Sequence, residues 1–252
     1  MRTLLIDGDV FAYQFACAAE VATHWGDDFW TLHADAKTAK EKLDAFMEEL
    51  KSKLGADHLI IALSDRTRNY FRKQILPTYK ANRDKVRKPI ILKELREHLE
   101  TEYECFERPG LEGDDVLGIL ATSEKIVKGE KVIVSIDKDL KTIPGLHYNT
   151  NKPELGVYTI TEEEANYWHL FQTLTGDPSD GYSGCPGIGP KKAEELLAES
   201  PTWETVEAAF KKSKVEAESL IQAKMARILR ADDYDFKKKE PILFTPRSTR
   251  IK

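Results

Sequence analysis

Three short apolar runs, each leading into aspartate, constrain this chain more than any other feature. Residues 3 to 6 (TLLI) run into Asp7, residues 58 to 63 (HLIIAL) are followed by Asp65, and residues 131 to 136 (KVIVSI) run into Asp137 and Asp139. Such runs suit strands buried on both faces. Between them, residues 35 to 53 predict an amphipathic helix with Ala39, Leu43, Phe46, Met47 and Leu50 on one stripe. Residues 90 to 99 and 114 to 127 predict two more, the latter with Val116, Leu117, Leu120 and Ile126 inward. Strands alternating with helices give a parallel sheet with right-handed crossovers. Sites in such sheets form at the carboxyl ends of the strands, so the acids have a common meeting place.

A hairpin is predicted over residues 146 to 149 and 157 to 160, and beyond it the chain turns to helices and glycine-rich turns. The organisation expected is an α/β domain over residues 1–161 and a helical subdomain over 162–252. The aromatic segment HWGDDFW, residues 24 to 30, reads as a small hairpin packed on the sheet.

The formal net charge of −5 over 252 residues does not by itself mark a nucleic-acid binder, and the distribution of charge matters more than the sum. Residues 66 to 88 hold nine Lys/Arg against a single acid, Asp84, while acids elsewhere come in tight clusters. Such a chain could bind a polyanion with one region and cations with another, although for any single cluster a solvated charged face is the commoner reading. Cys17, Cys105 and Cys185 lie far apart without a CxxC pair, which argues against a disulfide framework or a zinc site. No apolar run is long enough for a signal-peptide core or a membrane span, so a soluble, cytoplasmic protein is expected.

The acid clusters carry the chemistry. In Glu112-Gly-Asp-Asp115, at a helix start, one acid would serve as a cap. Three are too much negative charge for one helix end without a cation. Asp137 and Asp139 share a side if the strand continues that far, and Asp177 and Asp180 share a face of their loop. Carboxylate oxygen is the ligand that magnesium or manganese prefers. Asp7, Asp65, Glu112, Asp114, Asp115, Asp137, Asp139, Asp177 and Asp180 make nine carboxylates, more than one such ion needs. Two ions about 4 Å apart can clamp the attacking and leaving oxygens of a phosphodiester.

Two further elements suit a nucleic-acid partner. Gly184-Cys-Pro-Gly-Ile-Gly-Pro190 followed by Lys191 and Lys192 has the form of a helix-hairpin-helix clamp, whose exposed amides grip phosphate without reading bases. In the basic stretch, Asn69-Tyr-Phe-Arg72 and Leu76-Pro-Thr-Tyr-Lys-Ala-Asn-Arg83 interleave aromatics with cations, as single-strand binding needs. Tyr70, Phe71 and Tyr79 could equally pack in the core.

Taken in order, the motifs IDG, ALSD, FRK…LPTYKANR, ExDD, SIDKDL, GDPSDG and CPGIGPKKA span nearly the whole chain. They resemble the 5′-nuclease family of flap endonucleases and of the 5′-exonuclease domain of bacterial DNA polymerase I, and most of all its small stand-alone phage 5′-3′ exonucleases. The resemblance implies a PIN-like 5′-nuclease fold, a central mostly parallel sheet flanked by helices. A helical arch over about 66–105 and a C-terminal helix-hairpin-helix (helix-three-turn-helix) at 184–197 would complete it. It also implies two Mg2+ or Mn2+, with Asp7, Asp65, Glu112, Asp114 and Asp115 serving mainly one and Asp137, Asp139, Asp177 and Asp180 the other. A potassium ion sometimes accompanies the helix-hairpin-helix.

By the same resemblance Arg72, Lys80 and Arg83 would act at the scissile phosphate and Tyr79 would stack on a base. Lys73, Gly187, Gly189, Lys191 and Lys192 would bind substrate. The implied partners are DNA with 5′ ends, flaps or nicks, RNA–DNA hybrids and replication proteins, with the chain a monomer acting in replication, recombination or primer removal. Asp9 has no place in the family pattern.

Two rival readings are weaker. A haloacid-dehalogenase-type phosphatase would use Asp7 as nucleophile, but it wants a strand before GDPSD, where the sequence reads as helix. A non-catalytic branched-DNA-binding module would need the clamp but not nine acids.

Overall fold

A computed structural model describes residues 1–246 of the chain, so the last residues of the expected helical subdomain lie outside the described part. The chain runs β1 (Arg2–Asp7), α1 (Gly8–Ala19), β2 (Glu20–His24), β3 (Trp30–Ala34), α2 (Ala36–Lys53), β4 (His58–Leu63), α3 (Phe71–Ile75), α4 (Leu92–Glu102), β5 (Glu104–Glu107), α5 (Gly113–Thr122) and β6 (Glu130–Val134). It continues through β7 (Gly145–Tyr148), β8 (Tyr158–Ile160), α6 (Glu162–Thr175), α7 (Pro190–Glu199), α8 (Trp203–Lys212), α9 (Ser219–Ala226), β9 (Tyr234–Asp235) and β10 (Glu240–Pro241). The central sheet has the order β5-β4-β1-β6-β7-β8. All its pairings are parallel except β7 with β8, the predicted hairpin.

Alternation along the strands explains why this sheet is covered on both faces. Leu4 and Ile6, Ile61 and Leu63, and Val132 and Val134 join one core, beneath α1, α2 and α4. Leu5, Ile60, Ala62 and Ile133 join the other with Val116, Leu117 and Leu120 of α5 and with Ile228 and Leu229. At about 2 kcal/mol per fully buried aliphatic side chain, this two-sided packing fixes strand register. Ile6 therefore pairs with both Ile61 and Val134, and the strand ends align. The strand order runs outward from β1 in both directions, so a switch point falls between β1 and β6, just below Asp7 and Asp137.

Several expectations change. The third strand stops at Val134 and residues 139 to 142 form a 3-10 turn, so a loop and not strand alternation presents Asp137 and Asp139. The helix expected to 127 ends at Thr122, capped by Ser123. The arch consists of α3, a 3-10 turn at Ala81–Lys85 and α4. The aromatic hairpin does form, as β2 and β3, but it pairs apart from the central sheet and leaves Trp25 and Trp30 64% and 59% exposed. Among the described residues, no helix is long and apolar enough to cross a membrane.

Candidate active site

Asp7 closes β1 and caps α1, accepting from the Val10 amide at 3.2 Å and from the Ser135 hydroxyl at 2.7 Å. It is buried, and burial together with Asp9 and Asp137 pushes its pKa up to about 7. Asp114, in the first turn of α5, is raised well above the carboxylate range by burial and by Asp7 and Asp137. Asp7, Asp114 and Asp137 are thus near enough to oppose one another's ionisation at this sheet edge. Asp139 is raised to about 7 by burial and by Asp137, with Asp177 and Asp180 adding smaller contributions. A second group, Asp139, Asp177 and Asp180, therefore adjoins the first through Asp137.

This donor set fits a hard divalent cation: it is all carboxylate, without histidine or cysteine, and it concentrates more negative charge than the burial favours. Among the described residues no three such side chains are already closed around one point. Their oxygens engage local donors instead. Asp177 accepts from the Ser179 amide and hydroxyl at 2.8 and 2.6 Å, and the Lys138 ammonium stands 3.7 Å away. These donors and Lys138 outweigh burial and hold its pKa low. The Gln172 amide donates to Asp139 at 2.5 Å.

The remaining acids are placed differently. Asp65 accepts from the Thr67 amide and hydroxyl, each at 2.9 Å, and from the Gly110 amide at 2.7 Å, so it braces its own turn. These donors outweigh burial and keep it ionised. Asp115 is fully buried and receives a two-pronged ion pair from Arg72, at 2.7 and 2.8 Å. Glu112 faces Arg72 (2.8 Å), the Tyr79 hydroxyl (2.9 Å) and Lys80 (2.5 Å).

Arg72 was expected at a phosphate and is instead 2% exposed, because two buried carboxylates and two carbonyls use its entire donor fork. Tyr79, expected to stack on a base, is likewise buried, in a small cluster with Tyr70 and Tyr182. It donates to Glu112 and stands 3.2 Å from Asp180.

Lys80 and Arg83 do reach the acid edge. The Lys80 ammonium lies 2.5 Å from Glu112 and 3.4 Å from Asp180, and Arg83 pairs with Asp180. Burial would lower the Lys80 pKa, but Glu112 and Asp180 outweigh it and keep the ammonium charged. Its backbone is left-handed, φ 55°, and its amide donates to the Asp180 carbonyl at 2.9 Å, which clips the arch to the GDPSDG loop. Beneath the arch lies a cavity of about 880 Å³. Its cations are Arg66, Arg68, Lys73, Lys80, Arg83, Lys88, Lys93 and Arg96, against the acids Asp9, Asp65, Glu97 and Glu112. A basic cavity that opens on carboxylates suits a phosphate chain approaching a metal site.

The glycine-rich turn follows the GDPSDG loop in the chain. Gly176 and Gly184 cross so closely that a Cβ on either would fall 2.3 Å from the other's backbone neighbourhood, so α6 can end only where the turn begins. Gly187, at φ +75°, and Gly189 have open space around them, and α7 starts at Pro190 with Lys191 and Lys192 exposed. Exposed amides at a helix start beside cations are what backbone gripping requires. The GDPSD acids follow α6, not a strand, which leaves the dehalogenase-type arrangement without its geometry.

Sequence reasoning missed the supporting residues. Ser135 was a signal within reach, a lone hydroxyl closing an apolar run before acids; it links Asp7 to the Asp137 amide, 3.0 Å away. Asp9 accepts from the Ser64 amide at 2.7 Å and from Arg96 at 3.0 Å, and the Ser64 hydroxyl accepts from the Gly113 amide at 2.8 Å. The extra acid thus locks β4 to the start of α5. The i,i+4 pair of Arg96 with Glu100 is a local pattern, but its contacts with Asp9 and the Ser64 carbonyl span 87 and 32 positions and leave no local mark.

The chain is similar to known proteins along most of its length. Residues 2–164 match the family described as 5′-3′ exonuclease, N-terminal resolvase-like domain. The exodeoxyribonuclease of Enterobacteria phage T3 is 34% identical, the match covering 97% of this chain and 93% of that protein. The exonuclease of Escherichia phage T7 is 33% identical, with 96% and 93% covered. A thermostable DNA polymerase I from Thermus aquaticus is 31% identical over 83% of this chain but only 25% of its own length. In fold, the bacteriophage T5 protein crystallised with metal ions superposes with a TM-score of 0.68 at 15% identity, covering 90% of this chain and 89% of that one. The bacteriophage T5 flap endonuclease in complex with DNA and metal ions gives 0.66 at the same identity and coverage. By sequence along most of its length, this chain belongs to the 5′-3′ exonuclease family.

Proposed function

We propose that the protein is a 5′-3′ exonuclease and structure-specific flap endonuclease that hydrolyses DNA phosphodiesters with two divalent metal ions, magnesium or manganese. The observation that carries this reading is the mutual charge opposition of Asp7, Asp114 and Asp137 and of Asp137, Asp139, Asp177 and Asp180, with Lys80 and Arg83 of the basic cavity reaching Glu112 and Asp180. The first three would hold one ion and the second three the other, with Asp137 between them. Such ions, when bound, supply Lewis-acid charge and acidify water at neutral pH.

The chain does the rest. Gly187, Gly189, Lys191 and Lys192 hold duplex backbone, and Lys73 with its neighbours draws the strand through the cavity. Lys80 and Arg83, poised on Asp180 and Glu112, exchange these carboxylates for the reacting phosphate and offset its charge. RNA–DNA hybrids and replication proteins as partners, a monomeric state, a cytoplasmic setting and a potassium ion at the turn rest on the family resemblance.

The test is a panel of 5′-labelled flap, nicked, blunt and RNA–DNA hybrid substrates with magnesium and then with EDTA. Metal-dependent release of short 5′ products is expected. Cleavage that persists in EDTA, or binding of branched DNA without any cleavage, would overturn the reading.

A further inference from the structure

The three acids at the start of α5 do not share one job. Asp114 faces Asp7 and Asp137. Asp115, in the same helical turn, points the other way into a fully buried ion pair with Arg72 and accepts the Leu229 amide at 3.1 Å. Arg72 extends this contact: its Nε donates to the Met225 carbonyl at 3.1 Å and its Nη2 to the Arg227 carbonyl at 2.6 Å. Met225 belongs to α9, and one turn earlier on that helix Gln222 accepts the Gly184 amide at 2.8 Å. A few hydrogen bonds therefore connect the glycine turn, through α9, Arg72 and Asp115, to the backbone that carries Asp114. Gly118 completes the docking, since a Cβ there would stand 2.2 Å from the Leu229 carbonyl.

We propose that Arg72 and Asp115 are a positioning pair that registers the glycine-turn subdomain against the acid cluster and thereby sets which phosphodiester is cut. The inference rests on the nuclease reading above. A duplex held at residues 184 to 192 is placed relative to Asp114 by this linkage, and a displacement of about 1 Å at the reacting phosphate can cost about 10²-fold in rate. Only a planar, two-pronged donor meets both carboxylates and both carbonyls at once, so lysine cannot replace Arg72. A fully paired, fully buried Asp115 has no oxygen to offer an ion.

The experiment uses the full-length protein and a 5′-labelled flap substrate resolved at single-nucleotide length. Removing one partner alone strands a buried charge and can prevent folding. The principal variant is therefore Arg72→Gln with Asp115→Asn, which removes both charges and keeps donors and acceptors; Arg72→Lys is its companion. The double variant is expected to fold and to take up Mn2+ in calorimetry with wild-type stoichiometry and affinity, whereas Asp114→Asn loses ion binding. Its cleavage products should spread over neighbouring phosphodiesters, with a maximal single-turnover rate lower by about 10²-fold. Arg72→Lys should rescue neither.

Loss of an ion in the double variant would make Asp115 a ligand and overturn the proposal. So would wild-type product lengths and rate. Absence of cleavage by the wild-type protein with Mg2+ or Mn2+ is a separate outcome that sinks the nuclease reading, and the registration of a cut falls with it.

Discussion

The acid edge of the sheet and the glycine-rich turn solve opposite problems. At the edge, a buried Asp7 and the half-buried Asp114 and Asp139 are brought near other acids, and their pKa values rise because desolvation and neighbouring charge both oppose ionisation. At the turn, Gly187 and Gly189 expose backbone to open space with two lysines alongside. The first depends on exact placement of a few charges in a medium that magnifies them. The second distributes small contributions over amides and solvated cations. Single substitutions should therefore act all-or-none at the edge and by degrees at the turn.

The largest expected effect lies at the edge. Asp137→Asn should reduce single-turnover cleavage by at least about 10²–10³-fold, since it removes one charge from a preorganised site, and should leave DNA binding intact or tighter. Asp65→Asn is the contrast: with its oxygens bracing Thr67 and Gly110, it should cost about 1–3 kcal/mol of stability and retain most of the turnover. Equal losses from the two would erase the distinction between cluster and brace.

Next comes Lys80→Ala, for which turnover should fall about 10²-fold on the scale of one electrostatic stabiliser. Its DNA affinity should barely move, because one phosphate contact among many carries a small share. A raised Michaelis constant with unchanged turnover would make Lys80 a simple attractor. At the turn, Gly187→Val with Gly189→Val should weaken duplex binding about tenfold, near 1.4 kcal/mol, and single-strand binding much less. Equal losses on both substrates would reduce the turn to a structural corner.

The smallest effect concerns pH. His147 and His169 are buried against the carbonyls of Ile143 and Ala223, and burial lowers their pKa values to about 4 and about 3 from 6.5. The fold holds both neutral, while the unfolded chain takes up protons below about 6.5. Their contribution is thus fully present above that pH and is lost as pH falls toward 4 and then 3. Thermal unfolding between pH 7 and pH 4 should show falling stability, lessened by His169→Gln.

The strands and their terminal acids were legible because two-sided burial leaves continuous apolar runs, and α2 because its stripe is amphipathic. Helix α1 was not, since Phe11, Ala12 and Ala16 are buried amid further apolar residues that blur the period. The acids divide by the same logic. Their convergence follows from topology, but whether an oxygen faces the cluster depends on partners far away in sequence. Arg72 lies in a strongly basic stretch that reads as solvated, yet it meets Asp115 and Arg227, 43 and 155 positions on. No local pattern reports such a pairing, and with it the burial of Arg72 and Asp115 stayed hidden.

The division of labour between the two regions is tested most directly by single-turnover cleavage of a nicked duplex as a function of enzyme concentration, with Asp114→Asn and the Gly187→Val, Gly189→Val double variant run beside the wild type. Asp114→Asn should lower the plateau rate steeply without moving the half-saturating concentration; the double variant should move that concentration and leave the plateau nearly unchanged. A wild-type plateau for Asp114→Asn, or a collapsed plateau for the glycine variant at saturation, would contradict the account.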